Sequence, residues 1–381
     1  MEQASVSIRL NPFKGLDGPE GAPVPWSPFG RMLDSRPQFI FDPLMHAGCY
    51  YVQDSSAMFV GHIFRRELRR LEAGPGLRVL DLCAAPGGKT TDLAASLRQA
   101  LGDAFSLVSN EVMKARASVL CDNVAIWGDP AVTVTSVDPA VIGRSMPGFF
   151  DIIVADVPCS GEGMFRKDQR AVDEWSPELV EICAARQRRI LADVWPALRE
   201  GGVLVYSTCT YEDAENDANL EWAARELGGR LLPPEEGFAG FGVRVTACGN
   251  LLKAGEVPGE GQWAGALVKT SSCPRTYRGD VSVLRPLRSG IPAPVVKGHD
   301  VIPHPDEALS ILFDKSSYPC AEVDRDTALH FLHRDAIVLP DAPRGYNVIT
   351  YMGHPLGFVK NLGTRCNNLH PLGRRILKDL A

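Results

Sequence analysis

The chain has 381 residues, a formal net charge of −6 and a pI near 5.8, with 45% hydrophobic and 23% charged residues. That length calls for two to three domains rather than one core, and the acidic balance excludes a surface coated in basic residues while leaving room for a local patch that holds nucleic acid. No apolar run reaches the roughly 18 residues a membrane span needs, and Met1-Glu-Gln-Ala-Ser-Val6 has neither the basic nor the apolar region of a signal peptide.

Ten cysteines, at 49, 83, 121, 159, 183, 209, 248, 273, 320 and 366, show no CxxC spacing. A zinc ribbon or finger is therefore excluded, and no bound metal is expected. A disulfide framework does not suit a chain this long without a secretory signal, so a reducing cytoplasm is the expected setting.

In chain order, Val6-Ser-Ile-Arg-Leu10 alternates like a strand and stops at Asn11-Pro12. Pro19, Pro23, Pro25 and Pro28 make the next stretch a loop, and Gln38-Phe-Ile-Phe41 reads as a second strand. A helix follows Tyr50–Met58, with Asp54 or Ser55 as its N-cap. It carries Arg65, Arg66, Arg69 and Arg70, a basic face that serves either solvent or phosphate. From Leu77 the pattern becomes strand, turn, helix. Strands at 77–82, 105–109, 132–137, 150–155 and 202–206 are separated by helices at 90–101, 116–123 and 177–198. That alternation means a doubly wound, mostly parallel α/β sheet. A helix is expected at 213–227 and a late edge strand at 265–269. Pro286, Pro292, Pro294, Pro303 and Pro305 make 274–305 a linker without regular pattern. The last stretch, 306–381, reads as a small domain with a helix at 326–334 and short strands at 336–339, 346–350 and 356–359. Its end is basic, with Lys360, Arg365, Arg374, Arg375 and Lys378.

The turn Cys83-Ala84-Ala85-Pro86-Gly87-Gly88-Lys89-Thr90 ends in Gly-Lys-Thr, but a phosphate loop needs glycine where Cys83 stands. The dinucleotide fingerprint GxGxxG is absent too. A strand ending in Asp, followed by a small-residue turn, suits a ligand whose amino-acid part and ribose lie against backbone. Glu111, at the next strand end, is placed to accept both ribose hydroxyls, and Asp138, after the third strand, to reach an adenine edge. This is the layout of an S-adenosylmethionine site rather than of a generic nucleotide site.

Cys159, in Asp156-Val-Pro-Cys-Ser-Gly161, and Cys209, in Ser207-Thr-Cys-Thr-Tyr211, each follow an apolar strand. Ligands of open α/β sheets sit at such carboxyl ends. A thiolate beside a methyl donor suits methylation of a poor carbon nucleophile such as carbon 5 of cytosine or uracil. Its addition to carbon 6 makes carbon 5 enamine-like and able to take the methyl group. Asp156 is a candidate for protonation near ring nitrogen 3, and Lys89 for lowering the thiol pKa. The bland alternative is two buried core cysteines, and the residues alone leave open which thiol attacks.

These residues resemble the Sun/Fmu family of RNA cytosine-5 methyltransferases, in particular its bacterial RsmF type. The matching stretches are VLDLCAAPGGKT (79–90), SNE (109–111), VDPA (137–140), DVPCSGEGMFRKD (156–168) and the run from RQRRIL (186–191) to STCTY (207–211). VSIRLNPFKG (6–15) and HAGCYYVQDSSAM (46–58) are similar to the family's N-terminal RNA-recognition segment, and GYNVITYMGHPLGFVKNLG (345–363) to its PUA-like C-terminal domain. Relatives carry a helical segment before the first of these stretches, so a trimmed RNA-recognition segment is expected. Gly259-Glu-Gly-Gln-Trp263 departs from the family's GEGFF, and Arg374-Arg375-Ile376 from its Trp-Arg-Ile.

The resemblance implies a Rossmann-like class I methyltransferase sheet over 63–273, preceded by an α+β RNA-recognition segment at 1–62 and followed by a linker at 274–305 and a PUA-like β domain at 306–381. It implies Cys209 as nucleophile and Cys159 as the helper in release. It places Cys83 through Lys89, Glu111, Arg116, Asp138 and Asp156 at the methyl donor, with Lys89 and Asp156 also facing the base. The implied substrate is 16S ribosomal RNA, alone or in the small subunit, and the expected protein is a monomer away from membranes. The alternatives are a transfer-RNA methyltransferase, a catalytically idle RNA-binding or ribosome-assembly factor, or a small-molecule or protein methyltransferase, which has no need of Cys209.

Overall fold

Five short apolar runs rich in β-branched residues form the parallel heart of one sheet. Its order is Val132–Thr135, Phe105–Asn110, Leu77–Asp81, Phe150–Asp156, Leu198–Thr208. The structure is a computed structural model and describes residues 5–16, 21–72, 74–273 and 277–380. Every residue of the central strand Phe150–Asp156 is buried except Asp156, which is partly exposed. Continuous apolar runs of this kind belong to strands covered on both faces. One face packs on the helices Met58–Arg70, Gly88–Leu101 and Lys114–Trp127, and the other on Pro139–Ser145 and Pro177–Val194. From Leu77–Asp81 the chain winds outward to one edge and then returns to the opposite side. The carboxyl end of that strand is therefore the switch point where ligands bind.

Several elements differ from the sequence-based expectation. The stretch expected as a late edge strand is an internal one, Gly261–Lys269, antiparallel to Leu198–Thr208 on one side and to Gly249–Lys253 on the other. Its outer partner opens Gly249-Asn250, poor strand formers that hid it. Gln38–Phe41 is no strand; Phe39–Phe41 form a single 3-10 turn, bracketed by Pro37 and Pro43. Ala336–Leu339 forms no strand either, although Ile337 accepts a bond from Cys366 N–H. The helix expected to be capped by Asp54 or Ser55 has Ala57 at its N-cap, because Asp54 is tied to Lys167 and to the Glu260 amide instead. Of the four arginines on that helix, Arg65 pairs with Asp92 at 2.9 Å, Arg66 and Arg70 share Glu67, and Arg69 is exposed, so the basic face is partly compensated from within the fold. The proline-rich stretch is partly regular: Arg288–Ser289 extends the main sheet beyond Val132–Thr135, and Val295–Lys297 pairs with Asp300–Ile302.

Val6–Leu10, Gly30–Leu33 and Tyr50–Val52 make a small antiparallel sheet near the start. The C-terminal sheet runs Cys320–Glu322, Gly345–Tyr351, His354–Asn361, Cys366–Asn368, with the helix Arg325–His333 against it. The two ends of the chain share one core: Ile8, Leu10, Cys49 and Tyr50 pack with Leu329, Phe331, Ile349 and Val359. Asp306, buried, pairs with Arg288 and Arg374, and Arg374 also reaches Asp122 on the helix Lys114–Trp127. Among the described residues no helix is long and apolar enough to cross a membrane.

Candidate active site

The register of the two central strands sets the thiols. Asp156 pairs with Ser207, so the segments running on to Cys159 and Cys209 leave the sheet side by side. The two sulfurs stand 3.2 Å apart. Gly163 N–H donates to Cys209 O at 2.7 Å, and Glu162 accepts from Thr210 Oγ and Tyr211 N–H, so the loop after Cys159 is folded onto the one after Cys209.

The sulfurs do not share one environment. A hydrogen bond from Cys159 draws the Cys209 thiol below its ordinary pKa, against burial and the Asp156 charge, with Lys89 assisting. The same hydrogen bond raises Cys159 well above its ordinary value, reinforced by burial and by the charges of Cys209 and Glu215. Lys89 Nζ lies 2.7 Å from Asp156 Oδ2. Burial alone would push Lys89 down, but the Asp156 carboxylate reverses this, and the ammonium is held charged above its ordinary value. Asp156 Oδ1 accepts from Ser207 Oγ at 2.7 Å and from Gln262 Nε2 at 3.1 Å. With three donors on its two oxygens, the carboxylate acts here as an acceptor rather than an acid.

Next to the Cys159 segment, which it meets at Pro158, a cavity of about 320 Å³ is lined by Cys83, Glu111, Met113, Arg116, Asp138, Pro158, Arg186 and Arg189, among others. Cys83, which opens the turn running to Lys89, stands on its wall. Gly87, at φ 115°, takes a left-handed conformation that opens the helix Gly88–Leu101, and a Cβ there would meet Leu120 at 3.2 Å. Arg116 and Asn123 donate to the Ala85 and Pro86 carbonyls, each at 2.8 Å, which fixes the turn from outside. Asn110 holds the cavity's far side by accepting from Val137 N–H at 3.0 Å. Asp138 caps the following helix through Ala140 N–H and stays exposed at the rim. Glu111 accepts from Met113 N–H with one oxygen. The other, buried, has no hydrogen-bond partner, with Arg116 Nη1 3.5 Å away. Asp81 is likewise half-satisfied: Thr90 Oγ donates to one oxygen at 2.7 Å, and burial pushes its pKa up to about 7.

Buried acceptors without donors, beside the small-residue turn that follows Leu77–Asp81, fit the hydroxyls and amino group of S-adenosylmethionine. The expected site residues thus fall into two adjoining groups: Cys83, Glu111, Arg116 and Asp138 around the cavity, and Lys89, Cys159 and Cys209 beside it, with Asp156 against Lys89. Ala84, Ala85, Pro86, Gly87 and Gly88 follow Cys83 in the turn that leads to Lys89, and none of them lines the cavity itself. Ser207, Gln262, Glu162, Asn110 and Glu215 were missed by sequence reasoning. Glu162 and Glu215 had a signal, as acids beside the cysteine motifs. Gln262 stood inside the Gly259–Trp263 departure from the family's pattern, but nothing in the sequence brought that stretch, more than fifty residues after Cys209, to Asp156. Among the described residues no group of three or more His, Cys, Asp or Glu is placed to hold a metal ion.

A family profile described as 16S rRNA methyltransferase RsmB/F matches residues 69–232, and one described as methyltransferase RsmF PUA domain matches residues 318–376. The chain is 29% identical to the ribosomal RNA small subunit methyltransferase F of Klebsiella pneumoniae, in an alignment covering 98% of this chain and 89% of that one. It is 37% identical to the protein of that name from Pectobacterium carotovorum, over 57% of this chain; there the match spans 45% of the relative's length. A solved methyltransferase homolog protein from Pyrococcus horikoshii superposes with a TM-score of 0.55 at 25% identity, covering 70% of this chain and 87% of that one. The two profile matches together cover more than half of the sequence: the chain belongs to the RsmB/F methyltransferase family, with S-adenosylmethionine as its methyl donor.

Proposed function

We propose that this protein methylates carbon 5 of a cytosine in small-subunit ribosomal RNA through a covalent bond between Cys209 and the base. The observation that carries this reading is the 3.2 Å approach of two unequal thiols beside the donor cavity. A methyltransferase acting on oxygen or nitrogen needs no such pair. Bound S-adenosylmethionine supplies an electrophilic methyl group.

The chain's own residues do the rest. Cys209, drawn toward its thiolate, adds to carbon 6 of a base that has left its stack. Lys89 offsets the negative charge developing on the ring, and Asp156, an acceptor in this geometry, takes hydrogen bonds from the base edge. Once Cys209 is bonded to carbon, its charge and its hydrogen bond to Cys159 are gone. The terms that hold Cys159 protonated weaken accordingly. Cys159 then gives up its own proton to water and, as the thiolate, takes the carbon 5 proton; the electron pair of that C–H bond re-forms the 5,6 double bond, and the Cys209–carbon bond breaks to return the Cys209 thiolate.

Glu111, Asp138, Arg116 and the 83–89 turn hold the donor in this reading. Glu111→Gln is expected to weaken S-adenosylmethionine binding about tenfold, the loss of a charge-assisted hydrogen bond; titration calorimetry showing unchanged affinity removes Glu111 from the site.

RNA is held by the C-terminal domain together with the N-terminal segment that shares its core. Of the five basic residues near the end, Lys360 pairs with Asp300 and Arg374 with Asp306. Arg365, Arg375 and Lys378 are exposed. Replacing these three by Gln is expected to weaken RNA binding and to reduce the salt slope of its logarithm by about 2 to 3. An unchanged slope in a filter-binding series refutes their phosphate contacts. Incubating the protein with labelled donor and 16S RNA, small subunits or transfer RNA, followed by bisulfite sequencing, tests the substrate. Label on 5-methylcytosine in the ribosomal substrate is expected, and label confined to transfer RNA or to another atom overturns the reading.

A further inference from the structure

Two chemically identical thiols lie 3.2 Å apart, yet one must ionise and the other must wait. The charges around them are arranged asymmetrically. On the Cys209 side, Lys89 acts from the turn after Leu77–Asp81, with Asp156 as its partner at 2.7 Å, and Glu162 takes up the Thr210 hydroxyl and the Tyr211 amide. On the Cys159 side stands Glu215, fully buried. Its carboxylate accepts Ser160 N–H at 3.1 Å, Ser160 Oγ–H, and Gln187 Nε2–H at 2.6 Å. Ser160 directly follows Cys159. Its hydroxyl also meets Thr210 Oγ at 2.9 Å, and Thr210 directly follows Cys209. Tyr206, on the strand leading to Cys209, donates to the Glu215 carbonyl at 2.6 Å. The residue is therefore joined to both cysteine segments, while its charge bears on one.

Full burial of a carboxylate is costly unless its partners are donors, and every partner of this one is. Burial still pushes Glu215 above the usual carboxylate range, against those donors. A carboxylate used only to brace two loops is replaceable by an amide at no cost in charge. Glu215 is bonded to Ser160, the residue after Cys159, and its charge acts on the Cys159 thiol, which gives it an electrostatic task as well.

We propose that Glu215 is a positioning residue that widens the inequality between the two cysteines, its buried carboxylate behind Ser160 disfavouring a second negative charge at Cys159 while Lys89 favours the thiolate on Cys209. The role rests on the covalent reaction above for its purpose, but its measurement does not. The full chain, without RNA or donor, is alkylated with iodoacetamide between pH 6 and 10, and modification of each cysteine is followed by peptide mass spectrometry. Cys209 is expected to react first. Glu215→Gln is expected to lower the ratio of Cys209 to Cys159 modification about threefold or more, since half a pKa unit of separation is a factor of about three in thiolate population. The swap Glu215→Gln with Gln187→Glu returns the charge one hydrogen bond away and is expected to restore most of the ratio. An unchanged ratio in a Glu215→Gln protein that melts cooperatively overturns the proposal. If that variant does not fold, the swap decides: a retained preference for Cys209 supports the proposal, and equal reactivity overturns it. Methyl transfer by Cys209→Ala sinks the covalent reading instead and leaves the alkylation result standing.

Discussion

Cys209→Ala is expected to lower methyl transfer by at least about 10³-fold, roughly 4 kcal/mol in the barrier, while S-adenosylmethionine binds as before. The separation of effects follows from the geometry. Cys209 lies beyond Lys89 and Asp156, in the thiol pair, whereas the donor cavity is walled by Cys83, Glu111, Arg116 and Asp138. Removing the sulfur takes away the addition that makes carbon 5 nucleophilic and leaves every cavity contact in place. Single-turnover rates with tritiated donor, paired with donor affinity by calorimetry, check both halves. Turnover within tenfold of the unaltered protein would remove Cys209 as nucleophile, and a matching fall in donor affinity would assign it to the cavity instead.

Asp306→Ala is expected to cost roughly 3–5 kcal/mol, because it leaves Arg288 and Arg374 largely buried without their shared counter-ion. The two arginine side chains are 12% and 10% exposed and Asp306 is 1% exposed, so water replaces little of what is lost. Arg374→Met should cost less, since Asp306 keeps Arg288. Burial alone would raise the Asp306 pKa, but Arg374 and Arg288 reverse this and hold it below its ordinary value. A depressed folded value makes the contribution complete above the unfolded pKa of about 3.9, and lost as pH falls through the lower folded one. Calorimetric melts of the two variants at neutral pH, and of the unaltered protein between pH 3 and 6, test this. Equal melting points for Asp306→Ala and the unaltered protein contradict it.

Legibility in the sequence followed the range of the interactions. Strands such as Phe150–Asp156 carry their own record, because burial on both faces demands a continuous apolar run. Of Leu198–Thr208 only the apolar part from 202 to 206 was legible, since Leu198 reads as the end of a helix that in fact stops at Val194. The turn at Gly87 is equally local. What was not legible comes from contacts far apart in the chain. Asp54 looks like a helix cap until Lys167 and the Glu260 amide claim it. Arg65, Arg66 and Arg70 look like a free phosphate face until Asp92 pairs with the first and Glu67 is shared by the other two. No periodicity reports that Ile8 and Tyr50 share a core with Phe331 and Val359. At the site, Gln262 reaches Asp156 only because Gly261–Lys269 lies inside the sheet rather than at its edge. Arg374, a departure from the related pattern, gains its meaning from Asp306 and Asp122, which the sequence does not bring near it.

The division of labour between the two thiols is tested most directly with Cys159→Ala, incubated with substrate RNA and S-adenosylmethionine and then denatured. The expected result is a protein–RNA adduct that survives the denaturing gel, with the cross-linked nucleotide mapped to Cys209 by mass spectrometry, because addition proceeds and release does not. An adduct that accumulates in Cys209→Ala instead, mapped to Cys159, would contradict the assignment and exchange the two roles.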